Sequence, residues 1–310
     1  RAGGLLIYGI PNFKLDKEIV LRRTELLSKS GIIFHQNFEV GRDAYLHELR
    51  YKHNAILIAT GVYKARELGI PGNNLINILP AMEFLIDSNK RDLDPEMCHG
   101  ANNVMNTKGK RVVVIGGGDT AMDCVRTAIR QAAKSVTCLY RRDRENMPGS
   151  MREVLNAEEE GVKFVWTASP DAFLGKTAVA SIQAHNVRLG APDETGRQVP
   201  ETIKGSSFTL KADIVIKALG YDPENLPKLF DEPLLPITPN GTIKVDPLTL
   251  ETSMDGVFAA GDIVRGASLV VWAIHDGRNA ALSMHKSLQK NTVKIAPKAI
   301  PSSDSKSTAA

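Results

Sequence analysis

The sequence predicts an α/β protein built on doubly wound, largely parallel sheets. Short apolar runs rich in β-branched residues recur along the chain, and stretches with helical periodicity separate several of them. One such strand-to-helix junction is also rich in glycine, which is typical of a nucleotide-binding turn. The length of 310 residues exceeds what a single hydrophobic core usually supports, so we expect about two domains.

The predicted strands are continuous apolar runs, as expected for strands that are buried on both faces. They lie at 55–59, 111–115, 135–140, 162–166, 213–219 and 256–260. The predicted helices lie at 17–30, 120–132, 150–160 and 269–289. Residues 87–110 show little periodicity and predict a loop, and residues 291–310, rich in Lys, Ser and Pro, predict a disordered tail.

Composition and charge exclude several classes of function. Hydrophobic residues make up 43% of the chain, yet no apolar stretch is long enough for a membrane span. The 39 basic residues exceed the 35 acidic ones mainly in the C-terminal tail, so the folded part lacks the basic stripe of a nucleic-acid-binding protein. Cys98, Cys124 and Cys138 are scattered, without disulfide or metal-ligand spacing. We therefore expect a cytoplasmic protein with no membrane, nucleic-acid or metal partner.

The strongest local motif is the glycine-rich turn after the strand at 111–115. It reads Gly116-x-Gly118-x-x-Ala121 and runs into a predicted helix, which is the context that a dinucleotide-binding turn requires. Gly116 permits the tight turn, Gly118 lets a diphosphate approach the backbone, and Ala121 lets the helix pack on the strand. The helix N-terminus then supplies amide donors to phosphate. The predicted binding residues are Gly116, Gly117, Gly118, Asp119, Thr120 and Ala121.

A basic segment follows the next strand, at the position where a site specific for NAD usually carries an acidic residue. The chain reads Tyr140-Arg-Arg-Asp-Arg144 there. Guanidinium groups bind a phosphate through paired, charge-assisted hydrogen bonds, whereas a carboxylate would repel it. We therefore predict that Arg141, Arg142 and Arg144 bind the 2′-phosphate of NADPH. A solvated basic loop is the alternative, and Asp143 is able to pair with one of these arginines.

Three further strand ends carry glycine or aspartate. Thr60 and Gly61 follow one predicted strand, Gly220 follows another, and Gly261 and Asp262 follow a third. An aspartate at the carboxyl end of a strand accepts hydrogen bonds from a polyol chain, so FAD is the ligand that suits this last pair and the helix start at Ser268 and Leu269. Plain strand-to-turn junctions, or a helix-capping aspartate, are the alternatives.

The combined motifs resemble the small (beta) subunit of bacterial NADPH-dependent glutamate synthase, within the pyridine nucleotide-disulfide oxidoreductase superfamily. The resemblance runs from about residue 3 to residue 288. Its motifs are Gly3-Gly-Leu-Leu-Ile-Tyr-Gly-Ile-Pro11 with Lys14, Ala59-Thr-Gly61, Gly116-Gly-Gly-Asp-Thr-Ala-Met-Asp123, Tyr140-Arg-Arg-Asp-Arg144, Asn146-Met-Pro-Gly149, Glu158-Glu-Glu-Gly161 and Ala260-Gly-Asp262.

The resemblance implies two Rossmann-like domains, with an NADPH domain at 76–225 inserted into an FAD domain at 1–75 and 226–290. It implies hydride transfer from NADPH to FAD, and electron flow through iron–sulfur clusters to the large (alpha) subunit, which forms L-glutamate in ammonia assimilation. No catalytic acid or base is implied. Family members also carry an upstream cysteine-rich region and a first glycine-rich turn for FAD. Neither occurs in this sequence, so we expect the C-terminal portion of a longer polypeptide, with a truncated FAD domain.

Three other interpretations remain at this point. A flavin disulfide reductase would share the two nucleotide domains but needs a redox cysteine pair, which this sequence lacks. A fragment similar to dihydropyrimidine dehydrogenase would use the same electron-transfer module. An NADPH-binding module without independent activity would bind the nucleotide but hold no flavin.

Overall fold

The computed structural model describes residues 1–95, 105–193 and 196–295. In chain order, the helices are α1 (Gly4–Tyr8), α2 (Lys17–Lys29), α3 (Leu46–Lys52), α4 (Ala81–Leu93), α5 (Asp119–Arg130), α6 (Met151–Glu159), α7 (Leu226–Leu229), α8 (Asp262–Arg265) and α9 (Val270–Ile295). The strands are β1 (Ile56–Ile58), β2 (Lys64–Ala65), β3 (Ile78–Pro80), β4 (Arg111–Ile115), β5 (Ser135–Leu139), β6 (Lys163–Val165), β7 (Ala168–Gly175), β8 (Val179–Pro192), β9 (Gln198–Lys211), β10 (Ile214–Lys217), β11 (Tyr221–Asp222) and β12 (Val257–Ala259).

Two compact units share the chain. Unit 1 comprises Arg1–Asn37 and Ala65–Gly220, and unit 2 comprises Phe38–Lys64 and the chain from Tyr221 onward. The sequence-based boundaries grouped residues 1–75 together by their expected ligand, whereas contacts group the first 37 residues with the central part of the chain. The assignment of each segment to a nucleotide stays a prediction.

Unit 1 is organised around a five-stranded parallel sheet in the order β3-β10-β4-β5-β6. Successive side chains of a strand point to opposite faces, so each buried strand contributes to two cores. On β4, Val112 and Val114 pack in the same apolar cluster as residues of α4, α5 and α6. Val113 and Ile115 pack in a second cluster with residues of β7 and β8. The result is three layers: helices, the parallel sheet, and an antiparallel sheet in the order β7-β8-β9.

Ion pairs fix the N-terminal segment and the helices of unit 1. The ammonium of Lys14 lies 2.7 Å from Oδ1 of Asp123 on α5 and 3.1 Å from Oε2 of Glu153 on α6. Arg126 contacts Glu153 at 2.6 Å and Glu160 at 2.8 Å, and its guanidinium also lies 4.6 Å from the ring centroid of Phe13. Helix α5 is therefore held by charged residues of two other segments, the N-terminal segment and α6 with its C-cap.

In unit 2, β1 and β12 pair in parallel, with Ile58 opposite Ala259. Their buried side chains pack with those of Leu46, Leu226, Phe230 and Ile263 in one apolar cluster. Arg265 on α8 forms a two-pronged ion pair with the buried Asp276 on α9, with N–O distances of 2.6 and 2.7 Å. This pair fixes α9 beside the carboxyl ends of the two strands.

All six predicted strands and all four predicted helices are confirmed to within a few residues. Two expectations need correction. The predicted loop at 87–110 begins inside α4, which continues to Leu93, and its central part at 96–104 lies outside the described residues. The predicted tail begins as helix, because α9 continues to Ile295, and residues 296–310 lie outside the described part. The antiparallel sheet was not predicted.

Candidate functional site

The glycine-rich turn opens a cleft of about 430 Å³ in unit 1. Three strand ends meet there, because Gly116 follows β4, Tyr140 follows β5 and Gly220 lies just beyond β10. The carboxyl ends of parallel strands at a change in strand order are where doubly wound proteins bind ligands. The structure therefore brings together the predicted residues Gly116, Gly117, Gly118, Thr120, Arg141, Arg142 and Gly220.

The three glycines of the turn have different physical roles. Gly116 has φ +145°, and a Cβ there would lie 2.1 Å from the carbonyl oxygen of Ala218. A Cβ on Gly117 would lie 2.3 Å from the ring of Tyr140, which packs beneath the turn. A Cβ on Gly118 would meet nothing within 4 Å, so this residue borders open space. Gly116 and Gly117 thus shape the turn, and Gly118 leaves its backbone accessible to a ligand.

The N-terminus of α5 provides donors at this open side. Gly118 is its N-cap residue, and the first amide groups of any helix have no acceptor within it. Together with the helix dipole they favour an anion. Ala121 is fully buried, which lets α5 approach the sheet. The side chain of Asp119 accepts a hydrogen bond from the amide of Ser150 at 2.9 Å, so it fixes the start of α6.

The charges around the cleft are mainly positive. Among the described residues that line it, Arg66, Arg141, Arg142 and Arg197 are basic and Glu67 is the one with a carboxylate. Glu67 is paired with the buried ammonium of Lys217, and the hydrogen bond that Lys217 donates lowers the pKa of Glu67. Because that carboxylate is neutralised by its own partner, the cleft attracts anions such as the phosphates of a nucleotide.

Two of the three predicted arginines lie in this cleft. Arg142 donates from Nε to the carbonyl oxygen of Gln198 at 3.0 Å. Arg144 is not among the described residues that line the cleft. Its guanidinium instead contacts Glu158 on α6 at 2.8 Å. Sequence reasoning missed Arg66 and Arg197. Neither residue lies at the position of the dinucleotide motif that contacts the ribose. Arg197 precedes Gln198, which is 56 positions from its hydrogen-bond partner Arg142, so the two arginines are far apart in the sequence.

The other predicted residues gather in unit 2. The parallel pairing of β1 and β12 places Thr60 and Gly61 beside Gly261 and Asp262 at the same end of the two strands. Gly61 and Gly261 have φ values of +74° and +78°, a region that favours glycine. Ser268 donates its backbone amide to the carboxylate of Asp262, and Leu269 precedes the first turn of α9.

Asp262 carries the clearest sign of a ligand in unit 2. Its Oδ1 is inaccessible to solvent and has no hydrogen-bond partner among the described residues. Burial raises the pKa of this carboxyl group despite the amide of Ser268. A buried acceptor without a hydrogen-bond partner destabilises the protein, and a ligand hydroxyl that donates a hydrogen bond to it would remove this destabilisation. The polyol chain of FAD fits this requirement.

The described cysteines do not suit dithiol chemistry. Cys124 and Cys138 are buried, and burial raises the pKa of Cys138 to about 12 and that of Cys124 well above its ordinary value. Neither thiol readily forms the reactive thiolate at neutral pH. Cys98 lies outside the described residues.

Among the helices that the structure describes, none combines the length and apolar character needed to cross a bilayer.

Comparison with known proteins shows the family of the chain. Residues 14–277 match the family model of pyridine nucleotide-disulphide oxidoreductases. The chain is 62% identical to the glutamate synthase [NADPH] small chain of Azospirillum brasilense, over 92% of the chain and 59% of the relative's length. It is 56% identical to the putative glutamate synthase [NADPH] small chain of Cereibacter sphaeroides, over 92% of the chain and 68% of that relative.

The fold also matches solved structures. FprA of Mycobacterium tuberculosis, solved in complex with NADPH, superposes with a TM-score of 0.73 at 17% identity, over 96% of this chain and 78% of FprA. That likeness shows the α/β fold shared by this group of proteins. The matched family model covers most of the sequence, and the relatives are closely similar to it. The chain therefore belongs to the pyridine nucleotide-disulphide oxidoreductase family, and it is similar to proteins named glutamate synthase [NADPH] small chain, of which it spans 59% and 68% of the length.

Proposed function

We propose that the chain is the electron-input part of a glutamate synthase, an oxidoreductase that oxidises NADPH. The observation that carries this proposal is the cleft of unit 1, where an open helix N-terminus lies in the same cleft as Arg141 and Arg142. A diphosphate suits the helix end and a 2′-phosphate suits the guanidinium groups. The names of the relatives support NADPH as the ligand.

The residues of the chain would bind and orient the two nucleotides. In unit 1, Gly118 and the start of α5 would hold the diphosphate of NADPH, with Gly220 on the opposite wall. In unit 2, Asp262 would accept a hydroxyl of FAD, next to Gly61. When bound, NADPH supplies a hydride and FAD accepts it, so the protein needs no acid or base and contributes distance, orientation and electrostatics.

We further propose that electrons leave through iron–sulfur clusters to the large (alpha) subunit, where L-glutamate is formed in ammonia assimilation. The clusters would be held outside the described residues, in which no group of three or more histidine, cysteine, aspartate or glutamate side chains suits a metal ion. The shared name "small chain" supports a larger partner, and the scattered cysteines support a cytoplasmic location.

The first experiment tests nucleotide specificity by titration calorimetry with NADPH and NADH. Replacing Arg141 and Arg142 by alanine should weaken NADPH about a hundredfold or more and NADH only a few-fold, because only NADPH has the extra phosphate. A matched control replaces Arg22 and Arg23, an adjacent and exposed pair on α2. Equal losses for both nucleotides in the cleft variant would contradict the assignment of these arginines.

The second experiment tests the flavin. The chain is incubated with FAD, freed of unbound flavin by gel filtration and mixed with NADPH without oxygen. Retained flavin whose oxidised absorbance band is bleached by NADPH supports the proposed oxidoreductase. A colourless preparation that still binds NADPH supports the alternative, a nucleotide-binding module without independent activity.

A further inference from the structure

We propose that Arg197, at the end of the β8–β9 hairpin, is a further determinant of the preference for a 2′-phosphorylated nucleotide. This inference rests on the proposed function and adds to it a residue that no sequence motif marks. Arg197 is exposed and lines the same cleft as Arg141 and Arg142, although it lies just before β9 of the antiparallel sheet.

Hydrogen bonds join the backbone of Arg197 to that of Asp193, on the β8 side of this hairpin. The amide of Asp193 donates to the carbonyl oxygen of Arg197 at 2.9 Å, and the amide of Arg197 donates back to Oδ1 of Asp193 at 3.1 Å. Gly196, with φ +78°, also donates its amide to the carbonyl oxygen of Asp193 at 2.9 Å. These hydrogen bonds tie the backbone of Arg197 to that of Asp193, the residue after β8.

The same hairpin is joined to the segment that carries the other two arginines. Arg142 donates to the carbonyl oxygen of Gln198, the residue after Arg197, at 3.0 Å. The side-chain amide of Asn146 donates from Nδ2 to Oε1 of Gln198 at 3.3 Å. These two bonds place Arg197 at the Arg142 side of the cleft. They also orient the Arg142 guanidinium through one of its N–H groups.

Three guanidinium groups that line one cleft suit a dianionic phosphate better than two. A 2′-phosphate carries close to two negative charges at neutral pH, and a planar guanidinium binds such a group through parallel hydrogen bonds. NADH has a neutral hydroxyl at that position. Arg197 should therefore contribute to the binding of NADPH and contribute little to that of NADH.

The test compares Arg197→Ala with wild type by calorimetric titration, using NADPH, NADH, 2′,5′-ADP and 5′-AMP as probes. The matched control is Arg188→Ala. Arg188 lies on β8 of the same hairpin, but its guanidinium is directed to Glu201 at 2.9 Å and 74% of its side chain is exposed. The expected result is a loss of about ten- to a hundredfold for NADPH and 2′,5′-ADP, with less than about threefold for NADH, 5′-AMP and the control variant. Arg197→Lys should recover part of the loss.

Two outcomes would overturn the inference while the proposed function stands. One is an equal loss for phosphorylated and unphosphorylated probes, which would assign Arg197 to a shared part of the nucleotide. The other is no loss for any probe. If the folded wild-type chain binds none of the four probes, the proposed function itself fails, and the role of Arg197 fails with it. Unchanged unfolding temperatures of the variants would show that the fold is intact.

Discussion

The candidate sites of the two units differ in how fully their own polar groups are satisfied. In unit 1 the carboxylates that frame the cleft already have partners: Glu67 is paired with Lys217, and Asp119 accepts a hydrogen bond from the backbone amide of Ser150. In unit 2 the site contains Asp262, whose buried Oδ1 has no partner among the described residues. The exposed apolar side chains of Leu269, Val271 and Ile274 are close to it in sequence.

This difference suggests two ways of preparing a binding site. A site whose polar side chains already have hydrogen-bond partners keeps its conformation before the ligand arrives, so binding requires little reorganisation. A buried acceptor without a donor reduces the stability of the ligand-free protein and favours the bound state. Substitutions of the packed or paired residues of unit 1 should therefore be destabilising, whereas loss of the Asp262 charge in unit 2 should be stabilising.

The largest expected effect is that of Gly116→Ala in the frame of unit 1. The left-handed φ and the 2.1 Å approach to Ala218 should together cost about 3 kcal/mol in the free energy of unfolding, measured by urea denaturation. Gly161→Ala is the control, because φ is +95° there but a Cβ would meet nothing within 4 Å, and it should cost about 1 kcal/mol. Similar losses in both variants would show that the close packing of the turn contributes little.

Gly118→Ala tests ligand binding at the same turn without changing how the turn packs. Since a Cβ there enters open space, the free energy of unfolding should change by less than about 0.5 kcal/mol. The methyl group would, however, stand where we place the diphosphate. NADPH affinity should fall about tenfold or more in a calorimetric titration. A variant that binds NADPH as wild type does would place the diphosphate elsewhere.

The next effect concerns the ion pairs that hold the N-terminal segment. Lys14→Met should cost about 2 kcal/mol, because it leaves Asp123 buried without its cation; burial already raises the pKa of that carboxyl group even though Lys14 is present. Lys29→Met is the control, since Lys29 and Glu25 form an exposed pair that solvent screens, and its loss should leave the free energy of unfolding nearly unchanged. Equal effects would mean that burial does not strengthen the role of Lys14.

The smallest pair of effects compares one aspartate from each unit. The hydrogen bonds that Arg111 donates lower the pKa of Asp213 to about 2. A lowered pKa stabilises the fold above the ordinary value near 4, and this contribution is lost as the pH falls toward 2. Asp213→Asn should therefore cost about 1 to 2 kcal/mol at pH 7, and urea denaturation at decreasing pH should show the difference from wild type disappearing.

Asp262→Asn should have the opposite sign. Because burial raises the pKa of Asp262, its ionisation at pH 7 opposes folding, and removing the charge should stabilise the ligand-free chain by about 0.5 to 1 kcal/mol. The wild type should approach the variant in stability as the pH falls and the carboxyl group is protonated. FAD retention should decrease in the variant. A destabilised variant would contradict the comparison of the two units.

Sequence patterns predicted the parallel strands because both faces of these strands are buried, so their residues form unbroken apolar runs such as that of β4. The antiparallel sheet could not be recognised in this way. One strand, β8, alternates buried residues such as Ile182 and Ala184 with exposed ones, and β9 is largely exposed. The glycine turn was predicted because its residues are contiguous, whereas Arg197 reaches the cleft only through the tertiary position of the hairpin.

The position of β10 in the sheet has a consequence for biosynthesis. In the sheet this strand lies between β3 and β4. In the chain it comes after both of them and after all three strands of the antiparallel sheet. A nascent chain leaving the ribosome cannot join β3 to the remaining strands until β10 has emerged. Unit 1 should thus acquire its cooperative stability late in translation, and its early intermediates would expose unpaired strand edges that chaperones recognise.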